Sequence, residues 1–165
     1  MVAKSGDRLL MDEAVGALRE EILPMAEVLT PNLPEASVLT GEGVVTREEM
    51  ERAGRKLLGL GARFVLIKGG HAGDAMSSDL LCTSGSHGEV TVRWYEQERT
   101  PTANTHGTGC TLSSAIAAYR ARGVDVQESV ARAKEYITGA IRAGAEYRIG
   151  SGHGPVHHFH NLWKT

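Results

Sequence analysis

The stretch Asn104-Thr105-His106-Gly107-Thr108-Gly109-Cys110-Thr111-Leu112-Ser113-Ser114 decides how the rest of the chain is read. Glycines at 107 and 109 remove side-chain bulk, and an apolar-faced helix begins directly after them. The first N–H groups of a helix have no intrahelical partner, and the helix dipole favours negative charge at that end. Together these features make a cradle for a phosphate or an oxyanion. No Lys-Ser/Thr pair follows the glycines, so this is not a Walker A loop, and the spacing is not G-x-G-x-x-G. A G-x-G turn that opens a helix can also serve close packing alone, so its neighbours must decide its use.

Outward from the turn, strands and helices alternate. Met1 to Lys4 reads as the end of a short buried strand, followed by a Ser5-Gly6-Asp7 turn. Residues 12–22 read as a helix with Val15, Leu18 and Ile22 on one face. Glu27 to Thr30 is a short strand, and a helix starts at Pro34, tolerated in a first turn, and stops at Gly41. Thr46 and Glu49 have capping-box spacing ahead of Met50, Ala53 and Leu57, with Gly59 and Gly61 ending that helix. The apolar run Phe64-Val65-Leu66-Ile67 suits a strand buried on both faces.

Residues 75–83 and 89–96 are further strands; Val90, Val92 and Trp94 alternate with polar residues, as in a half-exposed antiparallel strand. One helix runs from near Gly107 to Gly123. A second covers 126–146, with Val130, Ala133, Ile137, Ile141 and Ala145 on one side. Residues 150–165, rich in Gly and His, read as loop. Such alternation with short connections predicts an α/β fold with a mostly parallel sheet covered by helices. There is no internal repeat and no linker, so residues 1–165 form one domain or part of one.

Composition narrows the function. The chain has 165 residues, with 18 basic and 20 acidic side chains and a net charge of −2. That balance gives no electrostatic case for nucleic acid or an anionic membrane as partner. No segment has the apolar length of a signal peptide or a membrane span, and the expected setting is a reduced cytoplasm. Cys82 and Cys110 have no C-x-x-C spacing, so neither a disulfide framework nor a zinc site is expected. His157, His158 and His160 are close in sequence, but no carboxylate is near them, and no metal is assigned there.

The run N-T-H-G-T-G-C-T-L-S is similar to the signature of the hydroxymethylpyrimidine/phosphomethylpyrimidine kinases, within the ribokinase-like superfamily. Ribokinase and many pyridoxal kinases carry G-x-G-D, where the Asp is the catalytic base; here, as in the pyrimidine kinases, Cys110 stands at that place. Other segments resemble the family in the right order: Met1 to Asp7, Leu23-Pro24, Thr30-Pro31-Asn32-Leu33-Pro34-Glu35-Ala36, Ile67-Lys68-Gly69-Gly70-His71 and Gly152-His153-Gly154-Pro155-Val156. The resemblance covers essentially the whole chain and implies a ribokinase-like three-layer α/β/α fold.

It also implies roles. The backbone of Gly107, Thr108, Gly109 and Cys110 would form an anion hole for a migrating γ-phosphate, since phosphoryl transfer needs mainly positioning and charge compensation. Cys110 would be the base; a helix N-terminus tends to favour the thiolate form of a cysteine. Asn32 and Glu35 form N-x-x-E, which helps organise Mg2+ and the triphosphate, with Glu35 acting through water. Read from the residues alone, the same pair is a helix cap and a surface Glu. Lys68 ends an apolar strand, where open α/β sheets bind ligands, and would contact phosphate. Thr105 would line the nucleotide side, and His71 is a loop histidine.

The implied activity is ATP- and Mg2+-dependent phosphorylation of hydroxymethylpyrimidine and its monophosphate in thiamine biosynthesis. Full-length members extend further toward the N-terminus, so the chain is expected to be a C-terminal portion lacking the first βαβ units and most pyrimidine contacts. An uncovered sheet edge and apolar helix faces then predict a homo-oligomer or an aggregation-prone domain. Three alternatives stay open: a pyridoxine/pyridoxal kinase, a catalytically impaired nucleotide- or phosphate-binding module, and a cysteine hydrolase using Cys110 and His106. The last lacks an oriented third group.

Overall fold

The computed structural model describes residues 11–70, 75–85 and 88–163, so the strand and turn expected over residues 1–7, and His71, lie outside the described residues. The chain divides into two compact units, Met1–Glu96 and Gln97–Thr165.

In the first unit, the predicted helix over 12–22 begins as α1, Asp12–Ala17, but widens into a π-helical turn at Leu18–Ile22 and tightens into a 3-10 turn at Leu23–Met25. The widening changes which side chain faces inward. Leu23 N–H bonds to the Leu18 carbonyl, so residues five apart share a face. Leu23 is buried and Leu18 packs on the core, while Ile22, expected inside, is 54% exposed.

β1, Val28–Leu29, is followed by α2, Leu33–Thr40, which ends at Gly41 in the left-handed conformation that favours glycine. α3, Arg47–Gly59, starts with the Thr46–Glu49 capping box that the spacing predicts. Its Met50, Ala53 and Leu57 join Leu33, Ala36 and Leu39 of α2 in the main core. β2, Phe64–Lys68, supplies Val65 and Ile67 to that core. Leu66, on the opposite face, is also fully buried, so the strand is covered on both faces as its unbroken apolar run requires.

β3, Met76–Ser84, and β4, Val90–Glu98, complete a four-stranded sheet of order β1-β2-β3-β4. The expectation of a mostly parallel sheet holds for β1 and β2, where Val28 pairs with Phe64, and fails for β2 and β3. The latter pair is antiparallel, from Phe64↔Thr83 to Lys68↔Asp79. The reason is connection length. Only residues 69–75 join β2 to β3, and a parallel crossover needs about a dozen residues or more. Val90, Val92 and Trp94 alternate inward against the core, as predicted.

The second unit is built on two packed helices, α4, Thr108–Ala121, and α5, Val126–Ala143. Leu112 and Ile116 of α4 and Val126, Val130, Ala133, Ile137 and Ala140 of α5 are buried, with Val156 from the tail. The segment read as loop is tied down. His157 N–H donates to the Ala140 carbonyl at 2.9 Å, and Tyr136 Oη donates to the His158 carbonyl at 2.8 Å.

The two cysteines have opposite environments: Cys82 is buried in β3 and Cys110 is exposed. Burial pushes the Cys82 thiol from its ordinary 9.0 up to about 11. A folded-state value above the unfolded one means stability that is present below pH 9.0 and is lost as pH rises through about 11. Two outcomes follow. Native protein treated with iodoacetamide near neutral pH should be alkylated at Cys110 and spared at Cys82, read by peptide mass spectrometry. The alkaline fall in stability should be shallower in Cys82→Ala than in the wild type, measured by urea unfolding across that pH range.

Candidate active site

α4 begins at a cap that has no side chain. Gly107 occupies the N-cap position with φ 79°, ψ 3°, and no side-chain hydrogen bond caps the helix. A Ser or Asp there would place its own oxygen on one of the first amides. The first full-strength backbone bond runs from Thr111 N–H to the Gly107 carbonyl at 2.9 Å, and Thr108 N–H reaches the Thr105 carbonyl only at 3.5 Å. The amides of Gly109 and Cys110 precede the first closed α-helical turn. Nearby hydroxyls point back at carbonyls instead: Thr108 Oγ1 donates to the Thr105 carbonyl at 3.1 Å, and Thr111 Oγ1 to the Gly107 carbonyl at 2.8 Å. Thr105 therefore acts on this turn through its backbone carbonyl. The helix dipole adds a positive end to these amides, which suits an anion.

Cys110 is the third residue of α4 and opens onto a groove of about 530 Å³ on that helix, together with Ser114, Ala118, Tyr119, Tyr136 and His158. Its sulfur is thus at a cavity wall rather than turned into the core, where Cys82 sits.

Long-range bonds hold the turn. Asn104, which is buried, donates from Nδ2 to the Gly144 carbonyl at 2.8 Å and to the Tyr147 carbonyl at 2.7 Å, with a longer contact to Ala145. Its own N–H donates to Thr102 Oγ1 at 3.1 Å. His106 N–H donates to the Gly154 carbonyl at 3.1 Å, and His106 and Pro155 form a parallel bridge. The residues before α4, the C-terminal end of α5 and the Gly152-to-Val156 segment are therefore one clamped structure. Gly154 has to be glycine there, because a Cβ would collide with Asn104 Oδ1.

The first unit gathers the other predicted residues. Asn32 is the N-cap of α2: its Oδ1 accepts from Glu35 N–H at 2.8 Å, and Glu35 Oε2 accepts from Asn32 N–H at 2.9 Å. The N-x-x-E pair is therefore a reciprocal capping box, the reading that the residues alone supported. That use commits one carboxylate oxygen and leaves the other. Asn32 also bridges Lys68, whose N–H donates to the Pro31 carbonyl at 2.8 Å. The Asn32–Glu35 cap thus adjoins the backbone of Lys68 at the end of β2, and Gly107 to Cys110 form the separate turn of the second unit.

Sequence reading missed the clamp. Asn104, Gly154 and the buried Asp79 of β3 carry no local pattern that announces their partners. The only signal was that Asn104 and Gly154 fall inside segments already singled out. Removing the Asn104 amide should leave the buried Gly144 carbonyl without this donor, costing about 1–3 kcal/mol in Asn104→Ala. Gly154→Ala should cost about 1–3 kcal/mol through overpacking. Because the two side chains collide with each other, the double variant should be less destabilised than the sum, measured by urea unfolding.

Comparison with known proteins fits this geometry. The family model described as phosphomethylpyrimidine kinase matches residues 1–157. The hydroxymethylpyrimidine/phosphomethylpyrimidine kinase of Rhizobium meliloti is 49% identical over 165 residues, covering 99% of this chain and 60% of that protein. The thiamine biosynthesis bifunctional protein ThiED of Geobacter sulfurreducens is 47% identical over 160 residues, covering 96% of this chain and 31% of that protein. The pyridoxal kinase of Bacillus subtilis, solved as an ADP complex, has a TM-score of 0.87 at 38% identity, covering 99% of this chain and 60% of that one. The chain thus spans about 60% of the length of the Rhizobium meliloti and Bacillus subtilis proteins and 31% of the bifunctional one. From a family model matched across nearly its whole length, and from identity near one half to a curated member, the chain belongs to the phosphomethylpyrimidine kinase family.

Proposed function

We propose that this chain carries the phosphoryl-transfer half of an ATP-dependent kinase that phosphorylates the hydroxymethyl group of 4-amino-5-hydroxymethyl-2-methylpyrimidine, and then the monophosphate, in thiamine biosynthesis. The observation that carries the reading is the side-chain-free cap at Gly107 with an exposed thiol three residues later. The amides of Gly109 and Cys110 would receive the γ-phosphate as its charge redistributes. The Cys110 sulfur would accept the proton of the substrate hydroxyl, whose oxygen bonds to phosphorus as the bond to ADP breaks. Lys68, at a strand end, would offset phosphate charge, and Thr105 would contribute to the nucleotide side. The family membership, the ThiED relative and the ADP complex of a structural neighbour support this reading. The continuous family match over residues 1–157 supports treating both units as one kinase domain.

Magnesium fits the oxygen donors at Asn32 and Glu35 only through water. One Glu35 oxygen is already committed to the cap, and Mg2+ keeps several waters and takes few carboxylates. When bound, the ion would neutralise charge on the triphosphate.

A pyridoxal kinase is the second reading, favoured by the Bacillus subtilis neighbour; the higher identity to the Rhizobium meliloti enzyme, 49% against 38%, puts the pyrimidine first. No helix among the described residues is long and apolar enough to cross a membrane, and the cytoplasm is the proposed setting. Self-association belongs to the same reading, supported by the exposed Ile149, Phe159, Leu162 and Trp163. A stable monomer at micromolar concentration in sedimentation would remove it.

A coupled ATP-turnover assay with hydroxymethylpyrimidine, with pyridoxal and with neither separates these readings. Cys110→Ala should lower pyrimidine-dependent kcat by about 10²–10⁴, the range for a lost general base, and leave the KM for ATP close to wild type. Lys68→Met should act mainly on the KM for ATP. ATP binding without substrate-dependent turnover would reduce the chain to a nucleotide-binding module, and turnover with pyridoxal alone would reverse the substrate order.

A further inference from the structure

Asp79 has no part in the machinery described so far, yet it is 3% exposed, at the start of the buried run Asp79 to Cys82 of β3. A buried carboxylate is costly unless hydrogen-bonded, and an apolar residue of similar size is often at least as stable. Its presence asks for a use.

Its register partner is Lys68. Residues directly opposite in an antiparallel ladder share a face, so the two side chains leave the sheet on the same side, continuing the buried row of Leu66 and Leu81. The ladder stops one residue further on. The Gly69 N–H is taken by Asp79 Oδ1 at 2.9 Å, and a Cβ at Gly69 would collide with the Ser78 carbonyl. On its other side Lys68 is fastened to the Pro31 carbonyl and bridged to Asn32. The backbone of Lys68 is thus held on one side by β3 and on the other by the Pro31-Asn32 segment after β1, and Asp79 sets the place where the chain turns away.

We propose that Asp79 is a positioning residue: by holding the Gly69 amide it fixes the strand end from which Lys68 reaches the phosphates of a nucleoside triphosphate. This rests on the kinase reading for the identity of the ligand. The hold on Gly69 itself does not.

The test has two arms. Amide exchange at Gly69, measured without nucleotide, should show protection in the wild type and in Asp79→Asn, which retains an acceptor oxygen, and loss of protection in Asp79→Ala. Calorimetric titration with ATP and Mg2+ should show affinity about tenfold weaker in Asp79→Ala, the size of one lost hydrogen bond, and within about threefold of wild type in Asp79→Asn. In a Lys68→Met background, Asp79→Ala should weaken ATP binding no further. An Asp79→Ala variant that is less stable but binds ATP as the wild type does, or an equal loss with and without Lys68, would make Asp79 a structural residue and overturn the proposal. So would a loss of tenfold or more in Asp79→Asn, which decides the matter if the alanine variant does not fold. Wild-type protein that binds no ATP would sink the kinase reading, while an unprotected Gly69 amide in it would sink the hold itself.

Discussion

The side-chain amide of Asn104 is the constraint on which the glycine turn depends. An unbonded buried amide would be expensive, and this one meets two carbonyls at the end of α5 at 2.8 Å or less. In doing so it fixes where the chain enters α4, and hence where the amides of Gly109 and Cys110 face. The clamp does not rely on the turn's own residues, which can therefore be small and uncapped. Backbone donors can stay unpaired at one place because rigid bonds a few residues away prevent the segment from closing over them.

The two units obtain rigidity differently. In the first, burial does the work: α2 and α3 seal one face of β2 and β3, and side chains such as Leu57, Val65 and Ile67 are entirely inaccessible. The polar residues sit at the end of that packed layer, where the backbone of Lys68 is fixed by its neighbours rather than by its own side chain. In the second unit, directional bonds from Asn104, His106 and His157 tie helix ends to the tail. The first arrangement suits a charge that must stay at one height along a strand. The second suits a row of dipoles that must keep one orientation.

What the sequence made legible was local. The capping boxes at Asn32 and Thr46, the stop at Gly41, the doubly buried run 64–67 and the inward Val90, Val92 and Trp94 each follow from patterns a few residues long. What escaped needed information from further away. Nothing in residues 12–22 announces that the helix widens at Leu18 and brings Leu23 inward in place of Ile22. The antiparallel turn after β2 was legible in principle from the shortness of residues 69–75, but strand–helix alternation elsewhere outweighed it. Asn104 and Asp79 read as ordinary polar residues until their distant partners are known. For the candidate site, the family resemblance nominated residues, and the geometry then distinguished those that hold the backbone, such as Asn32, from Cys110, which faces a cavity.

The reciprocal cap at Asn32 and Glu35 has a further consequence. If the carboxylate that steadies the first turn of α2 also recruits a hydrated cation, as proposed, the two uses would be thermodynamically linked. If loading the ion draws Glu35 away from its amide, α2 must loosen at its start, and anything that tightens that start must weaken the ion's hold by the same factor. A helix terminus would then serve as a gauge of site occupancy, its fraying reporting how much of the metal's attraction is spent on unfastening the protein.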